Sequence, residues 1–244
     1  MYSGIAKKIT EKKIYKYYSY NPCMYKMFAP VINETIRFNK IKNFNDPYDC
    51  YIATSNGKSL QNIYMNTLGV CSFTSESDNL LMWSHYCSSH KGFVVEYDTE
   101  TLRKKLADFN NQIEDFGMVE YSDKIKTRHF LSENSDKEIV EAVYHKPECW
   151  KYEKEIRVIF WAMKNSESFT DIQISEDCIL RIILGSKFII ENKVIPSFLR
   201  KWVSEKKLYY MQLQSDRYGV LPTLVSDDSK NFNDNNNCMD LISL

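Results

Sequence analysis

Two glutamates and an arginine alternate within the segment CWKYEKEIRVIFW, which spans residues 149–161. Because successive side chains of a β-strand point to opposite faces, Glu153, Glu155 and Arg157 would share one face of a strand. A tryptophan and a tyrosine precede them, and aromatic rings beside carboxylates are typical of a ligand wall. Such a carboxylate can stabilise positive charge that develops during glycosidic cleavage. An exposed strand face with a Glu–Arg pair of little energetic worth is the alternative.

A second concentration of reactive side chains is the segment MWSHYCSSHKG at residues 82–92. Its histidines and Cys87 could ligate a metal ion, but helical residues two positions apart do not share a face. We therefore expect no metal site here. Core packing is the simplest role for Trp83 and Tyr86, and His90 to Gly92 would then simply end the helix.

Carboxylates also cluster in the turn NDPYD and in the later segment FVVEYD. Asp46 and Asp49 either form an ordinary turn around a proline or hold neighbouring backbone amides or a ligand. Together with Glu96 and Asp98 they could bind Mg²⁺ ions that activate water. A metal-dependent nuclease or phosphohydrolase is therefore an alternative function.

The segment YKYYSY near the N-terminus is aromatic and reads as a strand. Tyr15 and Tyr17 would lie on one face, and Lys16 and Tyr18 on the other. One face could stack on a base or ring while Lys16 reaches a phosphate. The sequence does not choose between the faces.

These residues must be positioned by short strands and helices that alternate irregularly, which favours an α+β fold. We expect a mixed, mainly antiparallel sheet with short flanking helices. The main strands are expected at residues 14–20, 34–40, 69–74, 93–98, 155–161, 178–185 and 208–214, and the main helices at 21–32, 77–90, 99–113, 135–145 and 191–206. A single domain over residues 1–225 should be followed by a polar, disordered tail at 226–244.

The composition excludes several classes of protein. Thirty-two basic and thirty-two acidic residues cancel, so the chain lacks the basic excess of a duplex-DNA binder. No apolar stretch is long enough for a signal peptide or a membrane span. Seven cysteines without a CxxC pair indicate neither a zinc ribbon nor a disulfide scaffold. We therefore expect a cytoplasmic protein with no membrane partner.

Several unusual blocks taken together resemble a bacterial domain family of unknown function. The blocks are IYKYYSY, NFNDPYDC, CSFTSESDNLLMWSHYCSSHKGFVVEYD, CWKYEKEIRVIF and RIILGSKF, in this order, over roughly residues 14 to 190. The family is marked by Asn-Asp-Pro-Phe-Asp, by Met-Trp-x-His-Tyr before His-Lys-Gly, and by Trp-x-Tyr-Glu-x-Glu-x-Arg. The resemblance implies membership but no activity.

The order of elements is also similar, more distantly, to that of ADP-ribosyltransferases. In those enzymes a late-strand glutamate binds the ribose of NAD and stabilises the transition state. This resemblance implies that Glu155 has that role and that Glu153 positions or activates the acceptor. It also implies an ADP-ribosyltransferase-like fold.

The same resemblance implies an NAD-binding set. A middle serine or tyrosine of those enzymes shapes the nicotinamide pocket, and a first-strand residue helps to hold NAD. The implied cofactor-binding residues in this chain are Lys16, Tyr17, Tyr18, Ser72, Trp83, Tyr86, His90 and Arg157. We expect the YKYYSY strand, the 83–92 segment and the 153–157 segment to converge on one cleft.

The expected function is therefore that of an NAD-using ADP-ribosyltransferase or NAD glycohydrolase. Its partners would be a nucleotide small molecule and an unknown acceptor macromolecule, in a bacterial toxin or phage-defence setting. Besides the nuclease, a non-catalytic binding or regulatory module is a further alternative, because the chain has neutral charge, many aromatic residues and no first-strand arginine.

Overall fold

The structure is a computed structural model, and it describes residues 7–51, 53–54, 66, 68–109, 112–113, 116–125, 127–128, 135–161, 163, 167–188, 195–225 and 232–233. The described residues fall into two compact units, each built from separate stretches of chain. The first unit draws on Met1–Lys12, Ile36–Ser75 and Glu100–Ile174, and the second on Lys13–Thr35, Glu76–Thr99 and Ser175–Leu244.

Strands are the main elements of both units. They are β1 Lys7–Lys8, β2 Lys13–Tyr18, β3 Thr35–Lys40, β4 Ala53–Thr54, β5 Gly69–Thr74, β6 Phe93–Asp98, β7 Gly117–Met118, β8 Glu120–Tyr121, β9 Thr127–Arg128, β10 His145–Lys146, β11 Glu155–Phe160, β12 Phe169–Gln173, β13 Ile179–Leu184, β14 Ile195–Pro196, β15 Leu208–Leu213, β16 Val220–Leu224 and β17 Phe232–Asn233. The α-helices are short: α1 Met24–Met27, α2 Ala29–Ile32, α3 Leu80–Tyr86, α4 Thr99–Ala107, α5 Ser135–Val143 and α6 Arg200–Ser204.

The first unit contains a run of paired strands in the order β1-β7-β11-β5-β3-β12. Strand β11 is antiparallel to β5 along its whole length, from Glu155 opposite Thr74 to Phe160 opposite Gly69. Every residue of β11 is buried. Helix α5 supplies Val140 and Val143 to the core cluster that also contains Ile159. The central strand is therefore covered by apolar side chains, and its charged residues lie inside the protein.

The second unit has strands paired in the order β2-β6-β13-β15-β16. The β13–β15 pair is parallel, whereas the other three pairs are antiparallel. Its core includes Trp83, Val94, Ile183 and Met211, all of which are buried. This mixed pairing supplies the framework on which the 82–92 segment packs.

Helix α3 begins and ends for identifiable reasons. The Asn79 side chain caps it by accepting hydrogen bonds from the backbone amides of Leu81 and Met82. After the helix the chain runs through three residues with positive φ, Ser88 to His90. A side chain at Gly92 would place its Cβ 2.1 Å from the Tyr18 carbonyl oxygen, so this close approach requires glycine.

The structure confirms an α+β fold with mixed pairing and short helices. The prediction of one helix over residues 191–206 is wrong for 195–199, where β14 and a 3₁₀ turn precede α6. Pro196 explains this, because proline cannot donate an intrahelical hydrogen bond. The predicted tail at 226–244 lies outside the described residues, except for β17, which pairs with β14. No helix within the described ranges is long and apolar enough to cross a membrane.

Candidate functional site

The candidate site is built around Arg157 at the centre of β11. Arg157 and Glu155 are two positions apart on this strand and therefore point to the same side. The guanidinium holds both glutamate oxygens: Nε donates to Oε1 at 2.8 Å and Nη2 donates to Oε2 at 2.8 Å. This bidentate geometry is the strongest form of the carboxylate–arginine pair.

The remaining hydrogen-bonding capacity of Arg157 is used by residues distant in sequence. Nη2 donates to Asp49 Oδ2 at 3.0 Å, and Nη1 lies 2.8 Å from Asp49 Oδ1. Nη1 also donates to the Val143 carbonyl oxygen at 2.6 Å and to the Cys50 sulfur at 3.2 Å. Arg157 has no exposed surface. It therefore links the NDPYD turn and the end of α5 to the central strand.

Glu153 belongs to the cluster but, contrary to the prediction from the alternating sequence, does not lie on the same strand as Glu155 and Arg157. It is the last residue of a 3₁₀ helix, Glu148–Glu153, and Lys154 follows in the left-handed conformation with φ of 43°. The strand begins only at Glu155. Glu153, Glu155 and Arg157 therefore do not alternate on one strand, and the expectation of a continuous charged strand face is corrected.

Lys146 brings the three carboxylates together. Its Nζ donates to Glu153 Oε2 at 2.5 Å and to Glu155 Oε2 at 3.2 Å, and lies 3.4 Å from Asp49 Oδ2. The Trp150 ring lies 5.1 Å from the same ammonium group. The five residues Asp49, Lys146, Glu153, Glu155 and Arg157, here called the ion-pair network, are all buried. The exposed-face alternative for residues 153–157 is therefore wrong.

The NDPYD turn supports this network. Asp46 Oδ1 accepts the Tyr48 backbone amide at 2.9 Å, as the interpretation of Asp46 as a holder of neighbouring amides predicts. Asp46 Oδ2 accepts the Trp150 indole N–H at 2.6 Å. This hydrogen bond connects the NDPYD segment to the 3₁₀ helix. The same segment places Asp49 against Arg157.

Burial and charge act in opposite directions on the ionisable groups of the network. Burial alone would raise the pKa of Glu155, but Arg157 and Lys146 together hold it below its ordinary value. Burial would lower the pKa of Lys146, but the carboxylates around it raise the pKa above its ordinary value. The Tyr121 hydroxyl accepts the Glu155 backbone amide at 2.8 Å, and its pKa is raised by burial and by the Glu155 charge. The shifts in the pKa values of Glu155 and Lys146 therefore both favour the charged forms of these two groups.

A pocket of about 220 Å³ opens beside the network. Its lining residues come from the NDPYD turn, from the loop after β8 and from β10: Tyr48, Tyr51, Ser122, Asp123, Lys124, Ile125, His145, Lys146 and Pro147. The Tyr48 and Tyr51 rings meet edge to face, with centroids 5.5 Å apart. Lys146 is the residue that belongs to both the pocket wall and the ion-pair network.

Within the first unit, Ser72 also lies beside the ion-pair network, which already contains Asp49, Glu153, Glu155 and Arg157. Ser72 lies opposite Arg157 in the β5–β11 register. A hydrogen bond from the Ser72 side chain helps to lower the pKa of Glu155. The expected middle serine and late-strand glutamate are therefore neighbours.

Within the second unit, the other expected NAD-binding residues lie around α3 and β2. The Tyr17 ring meets the Trp83 ring edge to face at 5.3 Å, and the Tyr17 hydroxyl donates to the Glu76 carbonyl oxygen at 3.2 Å. The His90 ring stacks on Trp83 at 6.3 Å. Trp83 is fully buried, as its core-packing interpretation predicts.

The remaining members of this set are less enclosed. The Lys16 ammonium lies 6.0 Å from the centre of the Tyr18 ring. Tyr18 and Tyr97 share a hydrogen bond between their hydroxyl groups at 3.0 Å. The backbone carbonyl of Tyr86 accepts the Ser19 hydroxyl at 3.1 Å. The convergence of these residues with Glu153 and Glu155 on one cleft stays a prediction.

Two of the four carboxylates expected of a nuclease, Asp49 and Glu96, are paired with cations. Asp49 binds Arg157 and Lys146, while Glu96 lies 2.8 Å from the Lys13 ammonium and also pairs with Arg181. In the part of the chain that the structure describes, no group of three or more His, Cys, Asp or Glu side chains is arranged to hold a metal ion.

Sequence reasoning missed Lys146 and the tyrosines of the pocket. Lys146 precedes a proline, and nothing in its neighbourhood marks it as a buried cation. Tyr48 is half-exposed and lies in a turn whose proline and aspartates account for its sequence without any ligand. Only the pairing of distant segments reveals these residues.

Comparison with known proteins adds one similarity. Residues 82–158 match a family described as Protein of unknown function (DUF2971), which supports the resemblance to an uncharacterised domain family. The matched region contains Lys146, Glu153, Glu155 and Arg157 but not Asp49. No curated protein and no solved structure matches the chain.

Proposed function

We propose that the first unit binds a nucleotide-class small molecule, with NAD as the candidate ligand, and that a ring of the ligand enters the pocket beside Lys146. The observation that carries this proposal is the double role of Lys146, which forms part of the pocket wall and holds Glu153 and Glu155. A ligand in the pocket would therefore contact a group that is coupled to both glutamates.

The size of the pocket limits what enters it. Ligand pockets usually measure about 300–1,000 Å³, and this one measures about 220 Å³. One ring with its substituent fits such a volume, whereas a dinucleotide does not. The remainder of NAD would lie along the protein surface outside the pocket.

The pocket also has the mixed lining that a ring requires. Tyr48 and Tyr51 contribute aromatic residues to the lining, and the loop after β8 contributes the polar residues Ser122 and Asp123. Apolar and aromatic walls with a few fixed polar groups are the usual composition of small-molecule sites. The carboxylates of the ion-pair network fix the position of Lys146 in this lining.

Calorimetric titration of the full chain with NAD tests the proposal. We expect binding in the wild type and an affinity about tenfold lower in Tyr48→Ala, because the variant removes a stacking surface. Tyr218→Ala is the matched control, since Tyr218 is fully exposed and is not one of the residues that line the pocket. Absence of NAD binding by the folded wild type, or equal loss in both variants, would overturn the proposal.

ADP-ribosyl transfer or NAD hydrolysis is a second candidate function, supported by the hydrogen bond between Ser72 and Glu155. In this chemistry an ionised glutamate stabilises positive charge on the ribose, and the lowered pKa of Glu155 keeps it ionised. Both Glu155 oxygens are held by Arg157 in the structure. Glu155 is also buried, so catalysis would require the substrate to displace Lys146 from Glu155 Oε2. Glu153 would then face the acceptor.

Release of nicotinamide from NAD measures this second function. We expect Glu155→Gln to abolish release while NAD binding persists, and the exposed control Glu100→Gln to retain it. Binding without release by the wild type would leave the first unit as a non-catalytic binding module. The toxin or phage-defence setting stays a prediction, and a partner that copurifies with the chain would be its test.

A further inference from the structure

We infer that the pocket beside Lys146 selects a positively charged ring over a neutral ring of the same shape. This inference rests on the proposed function and names the part of the nucleotide that enters. For NAD, it means that the oxidised, cationic nicotinamide ring is the part that is held.

The first step is that two basic side chains of the pocket wall, Lys146 and His145, already have oxygen partners within the protein. The Lys146 ammonium is surrounded by Asp49, Glu153 and Glu155. The His145 ring has an oxygen at each nitrogen: Nδ1 lies 2.7 Å from the Glu141 carbonyl oxygen, and Nε2 lies 3.1 Å from Glu120 Oε2. Neither side chain therefore has its charge directed at an incoming anion.

The second step is a local surplus of negative charge. The pocket lining, the carboxylates that accept bonds from it, and Arg157 behind those carboxylates carry six acidic and four basic side chains. The carboxylates are those of Asp46, Asp49, Glu120, Asp123, Glu153 and Glu155, and the basic side chains are Lys124, His145, Lys146 and Arg157. Because most of these groups are buried, their charges are screened less than surface charges are.

The third step is the presence of aromatic faces beside this surplus. Tyr48 and Tyr51 line the pocket, and Tyr48 is 54% exposed, so its ring is accessible to a ligand. An aromatic face attracts cations through its quadrupole, and the attraction is stronger when the cation is removed from water. A charged planar ring gains from both the tyrosines and the carboxylates, whereas a neutral ring gains only from packing.

Matched pairs of ligands test the inference by calorimetry on the full chain. 1-Methylnicotinamide carries the pyridinium charge, and nicotinamide is its neutral counterpart. We expect the cation to bind about tenfold more tightly, in line with a cation–π contribution. Oxidised NAD should likewise bind more tightly than NADH, whose nicotinamide ring is neutral. Equal affinities within each pair would overturn the inference and leave NAD binding intact.

The outcomes separate this inference from the proposed function. If NAD does not bind but 1-methylnicotinamide does, and nicotinamide does not, the pocket is selective for cations and the NAD proposal falls. If NAD binds and neither small ring competes with it, the ring is held elsewhere and the inference falls. If no ligand binds, both fall.

A variant at the pocket rim gives a second test that does not disturb the buried network. We expect Asp123→Asn to reduce the preference for 1-methylnicotinamide over nicotinamide by about threefold, because it removes one nearby charge. Asp108→Asn is the matched control, because its carboxylate is 67% exposed and lies outside the pocket lining. A preference that also falls in the control variant would show that the effect is not local and would count against the inference.

Discussion

Each of the two units buries a glutamate on a central strand, but they balance its charge differently. In the first unit, Glu155 pairs with Arg157 and Lys146, whose side chains are 0% and 4% exposed. In the second, Glu96 is fully buried, whereas its partners Arg181 and Lys13 are 24% and 52% exposed. The first unit therefore encloses both signs of charge, and the second encloses one sign and leaves the other near water.

This difference governs how strongly each site depends on its partners. A buried ion that loses its partner stays uncompensated in a medium of low dielectric constant. A cation near the surface can regain water when its partner is removed, so less free energy is lost. We therefore expect the ion-pair network to respond more strongly to substitution than the Glu96 cluster.

The largest expected effect follows removal of the central cation. Arg157→Met should lower the free energy of unfolding by about 3–5 kcal/mol, because Glu155 and Asp49 are left buried with one cation between them. Urea denaturation measures the loss. Arg37→Met is the matched control, since Arg37 is 44% exposed and pairs with Asp171 at the surface. Similar losses in the two variants would contradict the distinction between enclosed and surface charge.

A smaller effect is expected in the second unit. Glu96→Gln should lower the free energy of unfolding by about 1.5–3 kcal/mol, the range for a hydrogen bond to a charged group. Arg181 and Lys13 can then turn to solvent, so no buried cation is left unpaired. Urea denaturation of Glu96→Gln and Arg157→Met under the same conditions measures the two losses of unfolding free energy. A loss as large as that of Arg157→Met would mean that the Glu96 cluster behaves as an enclosed network.

The pH dependence of stability gives a third prediction. The folded pKa of Glu155 lies below its ordinary value of 4.5, so the unfolded chain binds the proton more readily. This glutamate therefore contributes stability that is present above pH 4.5 and declines as the pH falls through the lowered value, by at most about 1.4 kcal/mol per pH unit. We expect Glu155→Gln to unfold with a shallower dependence on pH below 4.5. Parallel curves for the two proteins would contradict this.

The smallest effect is expected at the Arg37–Asp171 pair. Its two hydrogen bonds are short, at 2.8 and 2.7 Å, yet both side chains are exposed. Asp171→Asn should therefore lower the free energy of unfolding by less than about 1 kcal/mol. Thermal or urea unfolding checks the value. A loss above about 2 kcal/mol would show that bidentate geometry outweighs solvent exposure, and would contradict the distinction between enclosed and exposed ion pairs.

The sequence predicted the strands better than the helices. The β-branched and aromatic runs at β5, β6, β11 and β15 are strands as expected. The helix expected over residues 21–32 is instead two single turns, α1 and α2. Short helices depend on capping and tertiary packing, because few intrahelical hydrogen bonds offset the nucleation of each one. Sequence periodicity alone therefore overestimates their length.

For the candidate site, residue types were predictable but roles were not. The sequence singled out Glu153, Glu155 and Arg157, and they do belong to one cluster. It could not show that the cluster is buried, because a strand with alternating charges is equally compatible with a solvated face. It also gave no indication of Lys146, which is needed to join the two glutamates.

By itself, the sequence determined local features of this protein: where β-branched and aromatic segments form strands, and which acidic and basic residues lie close together along the chain. These features depend on neighbouring residues and on backbone sterics. The tertiary structure alone decided that Asp49 meets Arg157 across 108 positions and that Lys146 lines a pocket. Such contacts depend on strand register and burial, which set the strength of every charge and arise only when distant segments pack together.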